Sequence, residues 1–260
     1  MTLLLASAVG AALFLWPFSD LGLPSATAAL AIGIGAVAGL LAVEAGTRRL
    51  DSRALALLAA LSAADAGLRA ALVSGIGGFN PIFLLVLCGG YALGPSFGFL
   101  LGACSLLVSA LVTGGLGPWV PYQLFALGWV GAGAGLVGLA RSGRRPRRLD
   151  VLLLAGFGLV AGFGFGAVMD IWNWTFYFSA PGLGWSPHLS PLSALGRFAR
   201  YYVLTSAAYD AFRAVGNALL VLVLGLPLLA GLHRLSQRFS LEWPVRSGPR
   251  PVPSPATSDP

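Results

Sequence analysis

The sequence predicts an all-α polytopic membrane protein, and two observations carry that prediction. The first is composition: of 260 residues, 57% are hydrophobic and only 10% are charged, and the mean hydropathy is +0.83. Soluble domains carry about 25% charged residues, so this chain has too few charged residues to form the polar surface of a soluble fold. The second is the recurrence of apolar stretches, at about 3–18, 26–46, 54–76, 81–93, 96–113, 121–140, 150–170 and 201–233.

These stretches predict about eight helices, because a full span needs about 20 apolar residues. We expect an N-terminal transmembrane hairpin over residues 1–50 and a six-helix core over residues 51–240. The short stretch 81–93 is expected to be tilted or prolonged through its glycine-rich end. Residues 241–260 are rich in proline and predict a disordered cytoplasmic tail.

The arginines orient the helices. The chain has sixteen arginines and no lysine, and the arginines cluster at helix ends, which is typical of membrane proteins rather than of nucleic-acid binders. When the spans alternate, the clusters at 48–53, 141–148 and 234–238 fall on one side. The positive-inside rule makes that side cytoplasmic, so we expect a multi-pass cell-membrane protein with both termini cytoplasmic and the loops 77–80, 114–120 and 171–200 outside.

Small residues at four-residue spacing predict close helix packing. They form three ridges, Gly94/Gly98/Gly102, Gly131/Gly135 and Gly158/Gly162/Gly166. On the 54–76 helix, Ala56, Ala60 and Ala64 form a similar stripe, which suits a neighbouring helix or a partner protein equally well.

Polar side chains collect in the predicted outer half of the bundle. Charged groups at a helix centre cost about 2.5–3.5 kcal/mol on insertion scales, so their presence indicates a role. They suggest an outward-opening cavity with aromatic walls and a few polar groups, covered by the long 171–200 loop as a lid. The side chains concerned are Gln123 near Trp119, Asp170 with Trp172 and Asn173, and, on the last helix, Tyr202 and Asp210; Arg213 and Asn217 of that helix share a face with Asp210 but lie deeper.

Structural alternatives remain open at this point. Asp210 and Arg213 lie one turn apart and equally suit mutual neutralisation. Asp65 and Arg69 are an i, i+4 acid–base pair that we interpret as structural. Trp119 with Gln123 suits a helix cap and interfacial anchor, and the aromatic residues of 171–200 suit an interfacial belt.

Enzyme chemistry finds no support in the motifs. A Walker-type phosphate loop requires lysine, so ATP hydrolysis would have to come from a partner. The two cysteines and two histidines have no metal-type spacing. We therefore expect no catalytic residue, no metal site and no cofactor.

Five stretches resemble the substrate-binding S components of energy-coupling factor (ECF) transporters, particularly an actinobacterial group. The resemblance covers about residues 54–238, and its most specific part is the GPW-x-P-x-Q pattern ending at Gln123. The stretches are 77–81 (GGFNP), 94–102 (GPSFGFLLG), 112–123 (VTGGLGPWVPYQ), 166–174 (GAVMDIWNW) and 202–206 (YVLTS).

The resemblance implies a subunit that binds a vitamin or related micronutrient, with cobalamin as first candidate, from outside. It also implies assembly with a transmembrane scaffold (T component) and two cytoplasmic ATPases, docking through Ala56, Ala60 and Ala64, and toppling of the S component during transport. The expected binding groups are Trp119, Gln123, Asp170, Asn173 and Asp210, with Trp172 and Tyr202 as stacking surfaces.

The hairpin over residues 1–50 departs from the simplest family pattern, and it could shield one face of the core or bind a partner. The alternative function is a stand-alone proton-coupled secondary transporter in which Asp210 and Arg213 form the relay.

Overall fold

The computed structural model describes residues 1–19, 25–47, 50–71, 80–141 and 145–239. Within these ranges the chain is entirely helical, with nine α-helices and one 3-10 turn, Trp16–Phe18. The helices are α1 (Thr2–Leu15), α2 (Ala26–Gly46), α3 (Ser52–Ala71), α4 (Ile82–Leu93), α5 (Pro95–Thr113), α6 (Val120–Leu139), α7 (Arg148–Phe176), α8 (Pro191–Thr205) and α9 (Ala207–Phe239). The predicted tail 241–260 and the motif residues 77–79 lie outside the described residues.

Among the described residues, six helices are long and apolar enough to cross a membrane: α2, α3, α5, α6, α7 and α9. The protein is thus a multi-pass helical membrane protein by length and composition. The shorter α4 has 12 residues, and Val86, Leu87 and Cys88 at its middle are fully buried. It lies among α5, α6 and α9 at the centre of the bundle, where its neighbours rather than lipid surround it.

The predicted count of eight helices was wrong, because the apolar stretch 201–233 belongs to two helices. The backbone leaves helical geometry at Ser206 (φ −121°, ψ −27°), which ends α8, and α9 starts at Ala207. The beginning of α8 carries an ordinary start signal, with Ser190 as the N-cap and Pro191 at the first helical position. Tyr202 therefore lies on α8 and not on the last membrane helix.

The predicted loop 171–200 was also too long. Helix α7 has 29 residues and continues to Phe176, because Trp172 and Trp174 are buried against neighbouring aromatic rings and hold its last turns. Trp172 and Asn173 are thus helical, and the connection shrinks to residues 177–190.

The glycine ridges pack as predicted. A Cβ on Gly98 would overlap the carbonyl oxygen of Gly131, and one on Gly131 would overlap that of Gly98, so α5 and α6 are in backbone contact. On α7, a Cβ on Gly162 would lie about 2.5 Å from the Cα of Ala214, and one on Gly166 would overlap the Asp210 carboxylate. These glycines set the α7–α9 spacing.

The N-terminal hairpin packs against α6 and shares the main hydrophobic core. Phe14 contacts Tyr122 and Trp129, with ring centroids 5.2 and 5.6 Å apart. Gly10 lies directly under the Phe125 ring, and Gly33 lies against Pro121. The hairpin therefore shields one face of the core.

The bundle has two chemically different ends. We call the end formed by residues 114–119, residues 177–190 and α8 the aromatic end. The opposite end, with residues 145–148 and the end of α4, is the arginine end. There Asp150 caps α7, accepting from the Arg147 amide (2.7 Å) and the Tyr91 hydroxyl (2.6 Å), and it pairs with Arg141.

Candidate functional site

The turn before α6 is fixed by glycine geometry and by one indole. Helix α5 ends at Gly114, whose φ of +66° is a left-handed conformation that glycine adopts without strain. The Trp119 ring folds over Gly117, where a Cβ would overlap it, and Trp119 Nε1 donates to the Gly115 carbonyl (3.2 Å). Trp119 occupies the N-cap position of α6 but makes no side-chain capping bond.

An aromatic cluster joins α6 and α7 at the aromatic end. Trp119 meets Trp172 edge-on at 5.9 Å between centroids, and Tyr122 approaches Trp172 at 6.2 Å. Trp172 also stacks on Phe176 (5.6 Å) and contacts Tyr177 (5.0 Å). We call these five residues the aromatic cluster. Sequence reasoning selected Trp119 and Trp172; it missed Tyr122, which lies one helical turn after Trp119.

Two polar atoms in this cluster have no hydrogen-bond partner among the described residues. Trp172 is 7% exposed and Tyr122 is 2% exposed, and both the Trp172 Nε1 and the Tyr122 hydroxyl are unpaired. The Trp16 side chain lies near the Tyr122 hydroxyl, but the two groups do not have the geometry of a hydrogen bond. Leaving a buried polar group unpaired costs about 1–3 kcal/mol, so the two groups need an explanation.

An apolar cavity of about 190 Å³ lies between α6 and α7. Trp129, part of its wall, contacts Phe14, which in turn contacts Tyr122 of the aromatic cluster. The cavity is lined by Ala126, Trp129, Val130, Phe157, Ala161, Gly164, Phe165 and Val168.

The other predicted binding groups lie on a different face of α7. Asp170 is beside Ser206 and within electrostatic range of Asp210 and Arg213. Asp210 and Arg213 form an ion pair, which is what the structural alternative of mutual neutralisation predicted. Asn173 is exposed, and its Nδ2 donates to the Tyr201 hydroxyl (2.8 Å). We call Asp170, Asn173, Asp210 and Arg213 the polar cluster.

Helix α7 separates Asp170 from the aromatic cluster, whereas the Arg213 guanidinium lies 5.4 Å from the ring of Phe165, which lines the cavity. Successive residues of an α-helix turn by about 100°, so Asp170 and Trp172 project in nearly opposite directions. The predicted site residues therefore divide into an aromatic group, with Trp119 and Trp172, and a polar group, with Asp170, Asn173 and Asp210.

Gln123 and Tyr202, the two remaining predicted binding residues, lie on α6 and α8. Gln123 is half-buried on α6, one turn after Trp119. Tyr202, on α8, lies 6.3 Å from the Phe198 ring. Burial, and then the nearby Asp210 carboxylate, raise the pKa of the Tyr202 phenol, so it stays neutral at physiological pH.

The alanine stripe of α3 is exposed. Ala56, Ala60 and Ala64 all face outward, and Ala59, Ala63 and Gly67 share that face. The stripe is thus not covered by the described helices of this chain.

The 3-10 turn Trp16–Phe18 covers the aromatic end from the hairpin side. Trp16 contacts Phe176 (5.9 Å) and Trp185 (5.1 Å), and Trp185 Nε1 donates to the Pro17 carbonyl (3.3 Å). Phe18 stacks against Trp174 at 6.1 Å. The hairpin thereby contributes to the surroundings of the aromatic cluster, a role that no local sequence signal indicated.

Comparisons with protein-family models, with curated proteins and with solved structures found no match. The fold and the site therefore define a class only: a multi-pass helical membrane protein with an aromatic cluster above an apolar cavity.

Proposed function

We propose that this protein is the substrate-binding subunit of an ECF-type ABC transporter, capturing a vitamin or related micronutrient outside the cell. One observation carries the proposal. Trp119, Tyr122 and Trp172 meet at the predicted outer end, close to an apolar cavity. Two buried polar atoms there have no partner among the residues that the structure describes. Small-molecule sites typically combine apolar walls with a few convergent polar groups.

The chemistry of the cluster favours a flat aromatic or heteroaromatic ligand. Indole and phenol rings stack on such a ligand, the Trp172 Nε1 would donate to an acceptor on it, and the Tyr122 hydroxyl would donate or accept. Ligand pockets are commonly about 300–1,000 Å³, so a cavity of about 190 Å³ favours a compact ring system. Cobalamin would require the α1 cover to move away from α6.

We assign the polar cluster a supporting role in this proposal. Asp210 and Arg213 already neutralise one another, and the Asp210 carboxylate packs directly against Gly166. These contacts hold α9 against α7 and leave the ligand to the aromatic face.

The exposed small-residue face of α3 supports the docking part of the proposal. Faces of alanine and glycine let a second helix approach closely, and Ala56, Ala60 and Ala64 are exposed. The proposed partner is the transmembrane T component, with two cytoplasmic ATPases supplying the energy. The arginine end and both termini would face the cytoplasm.

The decisive experiment separates stability from affinity. The ligand would be identified by native mass spectrometry of gently purified protein and then titrated calorimetrically. Trp172→Phe keeps a ring but removes the unpaired Nε1, so affinity should fall about fivefold to tenfold, as expected for one lost hydrogen bond. Unfolding of the ligand-free variant measures separately what the smaller ring costs in stability.

Two further variants complete the experiment. Trp119→Ala should lower affinity more, because it removes a stacking wall. Phe212→Ala is the matched control, since Phe212 is 65% exposed on α9, and it should leave affinity unchanged. Unchanged affinity in both tryptophan variants would exclude this site.

A second candidate function is proton-coupled secondary transport. It is favoured by one observation: Asp170 and Asp210 lie within electrostatic range, and each has an oxygen without a partner among the described residues. Uptake into proteoliposomes that lack any ATPase, driven by a pH gradient and lost in Asp170→Asn, would select this function over the first.

A further inference from the structure

A second group of buried polar side chains lies between α3 and α5, remote in sequence from both clusters of the candidate site. Ser62 and Asp65 belong to α3, and Ser105 and Ser109 belong to α5. Asp65, Ser105 and Ser109 are 0% exposed and Ser62 is 2% exposed. We call these four residues the serine–aspartate seam.

The centre of the seam is the contact between Asp65 on α3 and Ser105 on α5. The Asp65 carboxylate is near enough to the Ser105 hydroxyl to interact with it. Ser62 precedes Asp65 by three residues and Ser109 follows Ser105 by four, so each shares a helix face with its neighbour. A Cβ on Gly89 would meet both Leu61 and Leu101, so α3 and α5 run parallel; Ser62 thus lies one turn before the Asp65–Ser105 contact and Ser109 one turn after it. Helices α3 and α5 pack against each other, which encloses the seam.

None of these oxygens has a hydrogen-bond partner among the described residues. The unpaired atoms are both Asp65 carboxylate oxygens and the hydroxyls of Ser62, Ser105 and Ser109. A buried charge requires a partner, since removal from water is costly. Ionisable groups inside a membrane span therefore mark functional positions.

Arg69 does not supply that partner. It lies one turn further along α3, half-buried, and its charge acts on Asp65. Its guanidinium nevertheless forms no ion pair within 4.0 Å with Asp65, unlike the pairs of Arg141 with Asp150 and Arg213 with Asp210. Asp65 thus differs from both, because its carboxylate is buried without a cation in contact.

We propose that the serine–aspartate seam binds a sodium ion at its centre, between Asp65 and Ser105. Its donors are carboxylate and hydroxyl oxygens alone, the hard ligands that hard cations prefer. A single carboxylate balances one positive charge, so a monovalent ion leaves no excess charge inside the bundle.

A serine hydroxyl can act as an ion ligand when its proton is donated to a backbone carbonyl of its own helix. A hydroxyl in a helix donates to a carbonyl one turn earlier, as Thr113 does to Ser109 (2.7 Å) and Thr175 to Ile171 (2.9 Å). With the ion bound, the same rotation in Ser105 would leave its lone pairs free for the ion.

The test measures thermal unfolding of the full-length protein in lipid nanodiscs, in sodium, potassium or choline chloride at constant ionic strength. Sodium should raise Tm with a saturable dependence, as ligand binding to the folded state requires, and radioactive sodium should bind once per chain. Asp65→Asn, which preserves side-chain shape, should abolish both signals.

Serine variants provide a matched pair. Ser105→Ala should raise the sodium concentration at half-effect at least about tenfold, which is about 1.4 kcal/mol of binding free energy. Ser96→Ala should leave it unchanged, because Ser96 is a buried serine of the same helix near its first turn, remote from the seam.

Arg69→Gln distinguishes a sodium site from a structural Asp65–Arg69 pair. Removing the arginine charge should tighten sodium binding, since Arg69 repels the ion. A structural pair predicts lower stability in every salt with no change in sodium response, and that result would overturn the proposal. So would a sodium response retained in Asp65→Asn, or wild-type stability that follows pH but not sodium.

Discussion

The two long faces of α7 differ in how closely they pack against their neighbours. Its glycine face, with Gly158, Gly162 and Gly166, lies so close to α9 that a Cβ on Gly166 would overlap the Asp210 carboxylate. Its aromatic face, with Ala161 and Trp172, borders a cavity and carries an unpaired indole nitrogen. Both faces carry buried polar atoms without a partner among the described residues, so these atoms do not distinguish them. What differs is packing: the first face is closed by contact with α9, whereas the second leaves free volume in which a ligand can bind.

The largest expected effect is on the glycine face. Gly166→Ala should lower the free energy of unfolding by about 3 kcal/mol, because the added Cβ displaces Asp210 from its pairing with Arg213. The control is Gly156→Ala, where a Cβ meets open space and helix propensity favours alanine by about 1 kcal/mol. Unfolding in mild detergent measures both, and equal effects would contradict the close α7–α9 contact.

A smaller effect is expected in the cavity. Ala161→Leu should fill part of the volume, leave the free energy of unfolding within about 1 kcal/mol of wild type, and lower ligand affinity at least about tenfold. Calorimetric titration measures the affinity. Val160→Leu is the control, because Val160 is 67% exposed; undiminished affinity in Ala161→Leu would remove the cavity from the proposed site.

The smallest expected effect is that of Asn173→Ala, which tests whether the ligand binds on the aromatic face of α7. Asn173→Ala removes the hydrogen bond to Tyr201 and should lower the free energy of unfolding by about 1 kcal/mol. Ligand affinity should change by less than about twofold. Tyr201→Phe should reproduce the stability change; a large affinity loss in Asn173→Ala alone would instead place the ligand on the polar face.

Much of the fold is readable from local patterns. The glycine ridges repeat every four residues, so their close packing follows from spacing alone. The end of α7 could not be read in this way, because Asp170 and Asn173 suggest a helix end whereas tertiary packing of Trp172 and Trp174 extends it. The break at Ser206 was hidden within an apolar stretch that two helices share.

The candidate site was predictable only in part. Trp119 and Trp172 belong to recognisable stretches, and the structure places them in contact. Their surroundings depend on Phe14 and Trp16, more than a hundred residues earlier, and no periodicity in the sequence links those positions. The division by α7 likewise required a three-dimensional view, since Asp170 and Trp172 are neighbours in the chain.

The turn Trp16–Phe18 has a consequence for how such a protein could move. At the aromatic end the Trp185 side chain joins the hairpin to the core by donating to the Pro17 carbonyl. Within the hairpin, Thr2 Oγ1 of α1 donates to Glu44 Oε1 of α2 (3.3 Å), so its two helices stay together. If transport tips the core within the bilayer, the first two helices must rotate together with it. The rotating unit would then be wider than six helices, and its outer surface would move against lipid rather than against the hairpin.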